Sequence, residues 1–342
     1  MSAVTRLSRW RRIGLRVLPW VFALLLLAIA LRAVPINELL ATLSHLTWQQ
    51  LLILTLVNSL IILMFSGRWW IILRALKWAV PYLSLSAYRL SAFGVSYFTP
   101  GTQFGGEPLQ VMLLRNRDGV PGSVGAASVA LDKAIELLGN FTFLAFGAVV
   151  IARFGLFSDR SGVLLQLLAV GLLLLPLLFL TAAWRGVRPL TWLLSRLPAG
   201  FTTRTRLLQK FTELTAGIED QVVAFCRDHA LPLVAAMLVS LVTWLVLLGE
   251  YWLMLQFLGI DLDLLQTVAV LTIARFAFLV PLPGALGALE VSQVFALTSL
   301  GHTSAQGLSL ALLIRARDLL FGVLGLLLGS ALLGGRPSRD DH

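Results

Sequence analysis

Runs of about twenty apolar residues recur along this chain, and no other feature limits its folding so strongly. Such a run is long enough to cross a hydrocarbon core of roughly 30 Å as a helix. In lipid, backbone N–H and C=O groups must be paired internally, which leaves helices or closed barrels. No stretch alternates with the period of a strand, so helices remain. Composition agrees. Of 342 residues, 58% are hydrophobic and 13% are charged, against roughly 25% charged in a soluble domain. The chain reads as an all-α polytopic membrane protein, with 1–342 forming a single transmembrane domain.

The pattern predicts about six full spans, near 15–34, 48–73, 122–154, 162–184, 231–258 and 304–333. The second span ends in Arg68, Arg74 and Lys77. A short amphipathic stretch at 36–46 follows the first span. Residues 185–229 are the one sizeable polar segment. Within it Leu207, Phe211, Leu214, Ile218, Val222 and Phe225 fall at three- and four-residue steps, with Arg204, Lys210, Glu213 and Asp220 between them. That is an amphipathic interfacial helix, suited either to the membrane surface or to the protein's own cytoplasmic face.

A net charge of +10 would suit nucleic acid in a soluble protein. Here the basic residues cluster at helix ends, as the loops facing the cytoplasm require, and no nucleic-acid partner is expected. With the N-terminus inside, Arg185, Arg188, Arg196, Arg204, Arg206, Lys210 and Arg227 are cytoplasmic, while the external connections at 35–47 and 259–263 hold no Lys or Arg. Arg153 and Arg160 dissent on the outer side. Arg6 to Arg16 precede the first apolar run without a convincing cleavage site, so that span is expected to be retained. The expected setting is a bacterial cytoplasmic (inner) membrane with both termini cytoplasmic. A lone cysteine, Cys226, excludes an intrachain disulfide, and four scattered histidines give no metal-ligand spacing.

Two interrupted segments resemble each other. Pro100-Gly101 is followed by Gly105, Gly106 and Glu107, and Pro283-Gly284 by Gly287 and Glu290, so each Pro precedes its Glu by seven residues. Downstream, Gly119 matches Gly301, Lys133 matches Arg315, and Glu136-Leu137-Leu138 matches Asp318-Leu319-Leu320, each 182 residues apart. The repeats are read as 82–138 and 262–320. Three crossings separate them, which inverts the second copy. Paired Gly/Pro-broken segments in inverted copies point to a transporter site near the midplane. Segments 82–116 and 262–300 are therefore expected to be re-entrant hairpins entering from opposite faces. Half-helices beginning near Gly101 and Gly284 would leave N–H groups at membrane depth, and these suit a phosphate.

Ten ionisable residues lie within apolar segments: Glu107, Asp132, Lys133, Glu136, Glu250, Arg275, Glu290, Arg315, Arg317 and Asp318. Unpaired, they would cost together roughly 25–35 kcal/mol at mid-bilayer. Pairing around a hydrated cavity is implied. Substrate contact is expected from Gly101, Gln103, Gly106, Glu107, Lys133, Arg275, Gly284, Gly287, Glu290 and Arg315. Asp132, Glu136, Arg317 and Asp318 are expected as supporting charged pairs; for Asp132/Lys133 and Arg317/Asp318 helix-to-helix adhesion and function are equally good readings. Glu250, beside Trp244, Tyr251 and Trp252, is placed near an interface.

At these residues the chain resembles the lysylphosphatidylglycerol synthase transmembrane family, also called flippase-like or UPF0104. The resemblance is carried by TPGTQFGGEPLQVMLLRNRDGV (99–120) with ALDKAIELL (130–138), and by PLPGALGALEVSQVFALTSLG (281–301) with LLIRARDLL (312–320). The first motif is longer around Gly105 and Gly106 than the usual family form. The resemblance implies a lipid flippase domain. The soluble aminoacyltransferase often fused to it has no room before His342, so the flippase half alone is expected. The implied partners are membrane lipids: an anionic or aminoacylated phospholipid, or a polyprenyl-linked lipid. A homo-oligomer or a lipid-synthase partner stays open.

The leading expectation is thus a lipid transporter and not an enzyme, with no catalytic residues, no metal and no cofactor. One rival is a scaffold that presents lipid to a synthase without moving it. Another is an enzyme acting on lipid or isoprenoid phosphates. That rival needs a nucleophile or base with a partner, and the sequence offers no paired His/Asp motif, no nucleophile elbow and no acidic metal cluster.

Overall fold

The computed structural model describes residues 46–99, 105–156, 159–196, 206–280 and 282–334. The expected first span, the stretch at 36–46 except its last residue, Gly101 and Gln103 lie outside them. Within the described residues there are helices and turns and no strand. In chain order the helices are α1 (Trp48–Ala75), α2 (Tyr82–Phe98), α3 (Glu107–Asp118), α4 (Gly122–Arg153), α5 (Asp159–Trp184), α6 (Pro189–Ser195), α7 (Arg206–Asp228), α8 (Ala230–Phe257), α9 (Leu264–Ala277), α10 (Ala288–Ser299) and α11 (Ser304–Gly334). A short 3-10 turn, Pro283–Ala285, precedes α10.

Four of these, α1, α4, α5 and α8, are long and apolar enough to cross a membrane. The protein is a polytopic membrane protein. At 31 residues α11 is as long, but Arg315, Arg317 and Asp318 interrupt its apolar run. By contrast α2, α3, α9 and α10 have 17, 12, 14 and 12 residues. At 1.5 Å per residue they reach roughly 18–26 Å, short of a roughly 30 Å core.

Local chemistry explains where the helices start and stop. Thr47 caps α1 in a reciprocal pair with Gln50, and Asp263 caps α9 in the same way with Gln266. Proline precedes α2 and α4, at Pro81 and Pro121. Gly119 closes α3 with φ 69°, a left-handed turn that costs glycine little.

The element bounds repeat. Helices α1, α2 and α4 begin at 48, 82 and 122; α8, α9 and α11 begin at 230, 264 and 304, each 182 later. Helix α3 begins at 107 and α10 at 288, 181 later. The common spacing of 181–182 residues thus runs over a unit of four consecutive helices and takes in α1 and α8, which share length but no motif.

The two units embrace. Helix α2 packs along α11 of the other unit, and α9 packs along α4. Both contacts use small residues, which let membrane helices approach closely. A Cβ on Gly94 of α2 would stand 2.6 Å from the Gly322 carbonyl oxygen of α11, so only glycine fits. At the α4–α9 contact Gly147 meets the side chain of Thr272. Helix α9 is buried almost all round, with Thr267 to Ala274 inaccessible.

The amphipathic helix α7 turns Val222, Phe225 and Cys226 onto Leu131 and Ile135 of α4 and Leu180 and Ala183 of α5. Over this stretch its apolar face covers the protein itself. Glu219 is buried there and accepts hydrogen bonds from the Leu190 and Thr191 amides, at 2.7 and 2.8 Å, capping α6. Further toward its start, Leu214 is exposed.

Candidate functional site

Two networks of buried charge face one cavity. In the first unit Arg68, fully buried on α1, bonds Asp132 at 2.7 Å and Glu136 at 3.2 Å on α4. Arg89 of α2 reaches the other oxygen of Asp132, and Glu136 at 3.4 Å. Lys133 joins Glu136 at 2.8 Å and Glu107, the first residue of α3, at 3.3 Å. Three cations thus meet three carboxylates.

In the second unit Arg317 of α11 bonds Glu250 of α8 at 2.9 Å and Asp318 at 2.7 Å. Asn58 of α1 donates to Glu250 as well. Apart from these, Arg315 bonds Glu290 of α10, its Nε at 2.7 Å, and donates to the Gly284 carbonyl at 3.3 Å. Lys133 therefore reaches back to Glu107 as Arg315 reaches back to Glu290. In both units a cation on the long helix holds an acid in the first turn of the short helix after the break. An isolated ion in such surroundings is costly, and each pair removes that cost only while both partners are present.

The cavity has a volume of about 930 Å³ and is lined from α1, α2, α3, α4, α5, α8, α9 and α11. Its ionisable lining is Arg89, Glu107, Asp132, Lys133, Glu136, Glu250, Arg275, Arg317 and Asp318. Gly106 lines it as well; Gly284, Gly287, Glu290 and Arg315 do not. Arg315 is 1% exposed. Gly284 (φ 54°) lies under the Tyr97 ring, where a Cβ would come within 2.9 Å. Gly284 of the second break is thus covered by Tyr97, while Gly106 and Glu107 of the first line the cavity.

At the first break the described amide groups already have acceptors. The Gly105 N–H donates to Glu107 Oε2 at 2.8 Å, and the Gly106 N–H to Ser96 Oγ at 2.9 Å. Arg275 differs from the other cations. It forms neither a salt bridge nor a hydrogen bond among the described residues, and its guanidinium lies 5.0 Å from the Trp244 ring centroid. Lys133 and Arg315, the other cations expected to receive a ligand, are engaged by carboxylates.

Three placements differ from the sequence reading. Arg68 is not at a helix end near the surface but fully buried, because Asp132 and Glu136 draw it inward. Arg89, absent from the ten intramembrane ionisable residues, lines the cavity. Glu250, set near an interface by its aromatic neighbours, is 1% exposed and lines the cavity, where Arg317 and Asn58 hold it. The 182-residue register held a signal for Arg68, whose equivalent position is 250.

Comparison with known proteins agrees with the sequence motifs. A UPF0104 membrane protein of Methanothermobacter thermautotrophicus is 22% identical over 246 residues, covering 70% of this chain and 72% of that protein. Residues 14–325 match the family described as the lysylphosphatidylglycerol synthase TM region. That match spans most of the chain, both breaks and both charged networks, and the chain belongs to this family.

Proposed function

We propose that the protein is a lipid transporter of the flippase type, which admits a polar headgroup to the charged cavity while the acyl chains stay in the bilayer. One observation carries the reading. Nine ionisable side chains converge on a single cavity among membrane-crossing helices, where charge is retained only for a use or a partner. Leu168, Leu172 and Leu175 of α5 wall the same cavity and offer an apolar flank to the chains.

The four short helices support two re-entrant hairpins, α2–α3 and α9–α10. With α4, α5 and α8 crossing between them, the hairpins enter from opposite faces and the repeat is inverted. Arg74, Lys77, Arg115, Arg117, Arg185, Arg188 and Arg227 gather at one end of the spans, and the connection at 259–263 has no Lys or Arg. This supports a cytoplasmic position for that end and for both termini. Glu107 and Lys133 at the first break, and Glu290 and Arg315 at the second, form the equivalent hairpin latches. Gly106, Gly284 and Gly287 lie at the two breaks about which the hairpins move.

The test is leaflet exchange in liposomes, with headgroup-labelled anionic, aminoacylated and polyprenyl-linked lipids. Exchange above protein-free vesicles that falls in Glu107→Gln supports the transporter. Absence of exchange across the whole panel overturns it and favours a scaffold that presents lipid to a synthase.

A further inference from the structure

We infer that the headgroup admitted here is an anionic phosphate bearing hydroxyl groups and no free ammonium, received by Arg275 and by the carboxamides of Gln110 and Asn140. This rests on the transporter reading and narrows it to a substrate class.

A cationic headgroup needs a carboxylate able to turn toward it, and each lining carboxylate is already ion-paired. Both oxygens of Glu107, Asp132, Glu136 and Glu250 are engaged. Asp318 holds Arg317 through Nε and Nη2 on a single oxygen. An ammonium group could take Glu107, Asp132, Glu136 or Glu250 only by stranding a buried guanidinium or Lys133, which is strongly unfavourable, and Asp318 could offer it only the one oxygen that Arg317 leaves open.

For an anion the position is reversed. Arg275 lines the cavity with no acceptor for its donors among the described residues, and the guanidinium fork matches phosphate oxygens in pairs. Trp244, the ring on which it rests, keeps a buried Nε1–H that also has no acceptor. Glu250 and Asp318 face the same part of the cavity, but Arg317 already neutralises one of those two charges. The groups Arg275, Arg317, Glu250 and Asp318 then sum to zero, so Arg275 adds no charge excess that would need a fixed partner.

Gln110 and Asn140 complete the site. Both line the cavity, and neither carboxamide makes a hydrogen bond among the described residues. Gln110 is 7% exposed, so its donors and acceptors are directed at few partners other than cavity contents. A carboxamide both donates and accepts, which suits a hydroxyl and gives an ammonium no compensating charge.

The experiment compares exchange of phosphatidylglycerol, its aminoacylated form, phosphatidic acid and a glycosylated polyprenyl phosphate, for wild type, Arg275→Gln and Asn140→Leu. We expect the hydroxylated anionic lipids to exchange at least about tenfold faster than the aminoacylated one, the size of one lost charged hydrogen bond. Arg275→Gln should lower exchange of every anionic lipid. Asn140→Leu should lower that of the hydroxylated ones and spare phosphatidic acid. The glycerol and sugar arms distinguish the two headgroups that share this chemistry. Aminoacylated lipid moving as fast as phosphatidylglycerol overturns the inference and leaves the transporter intact. No movement of any lipid overturns the transporter reading itself. Should Arg275→Gln fail to fold, Arg275→Lys and Gln110→Leu carry the same comparison.

Discussion

Arg68 and Glu250 hold the same position in two copies of one helix and carry opposite charges. Helix α1 spans 48–75 and α8 spans 230–257, so equivalent positions differ by 182, and 68 + 182 = 250. Each side chain is buried, and each is paired with the long final helix of its own unit: Arg68 with Asp132 and Glu136, Glu250 with Arg317. The bridge is kept while its polarity is reversed. Each unit thereby satisfies its own buried charge, and neither depends on the other for an ion partner at this level.

The first prediction follows from that burial. Arg68→Met leaves Asp132 and Glu136 short of a partner and should lower stability by about 3–5 kcal/mol, the usual cost of removing one side of a buried pair. Adding Asp132→Asn should return part of the loss. Thermal unfolding in detergent for the two single variants and the double variant gives the coupling. Additive losses would contradict the pairing.

Glu290 and Arg275 should separate stability from transport. Glu290→Gln strands Arg315, which is 1% exposed, and should cost about 3–5 kcal/mol of stability. Arg275→Gln gives up a ring contact worth about 0.5–2 kcal/mol and no ion pair, so the protein should melt close to wild type. Its loss should appear in lipid exchange. The same unfolding assay, run beside the exchange assay, checks both halves.

Close backbone contact sets a third expectation. Gly94→Val forces a side chain against the Gly322 carbonyl, 2.6 Å from where the Cβ would stand, and overpacking of this kind costs about 1–3 kcal/mol or more. Gly171 on α5 has nothing within 4 Å of an added Cβ. Gly171→Ala should be neutral or stabilise by about 0.5–1 kcal/mol through helix propensity. Equal effects at the two sites would contradict the α2–α11 packing.

Orientation can be read by labelling. Cys226 is the one cysteine of the chain and is buried, so a Cys226→Ser background starts silent. Asp261→Cys, in the connection without Lys or Arg, should react with a membrane-impermeant thiol reagent on intact cells. Lys77→Cys should react only after the membrane is opened. The reverse pattern would invert the proposed topology.

The sequence by itself determined the solvent, the element type and the existence of a repeat. Apolar runs near twenty residues leave few options in a bilayer, and the helix bounds fall close to the predicted ones: 48–75 against 48–73, 122–153 against 122–154. Charges inside such runs are expensive enough to mark a polar interior without coordinates, and of the two Gly/Pro breaks only the first borders it, through Gly106 and Glu107 among the described residues. Partner choice was not legible. Which carboxylate holds which cation depends on how α1, α2 and α4 are brought together, across sequence separations of 64 for Arg68 and Asp132 and 43 for Arg89 and Asp132. Motif reading therefore passed over both arginines. Only tertiary packing decided that Lys133 and Arg315 are latched while Arg275 has no acceptor among the described residues, because an ion pair is settled by a few ångströms of side-chain placement that no spacing rule contains.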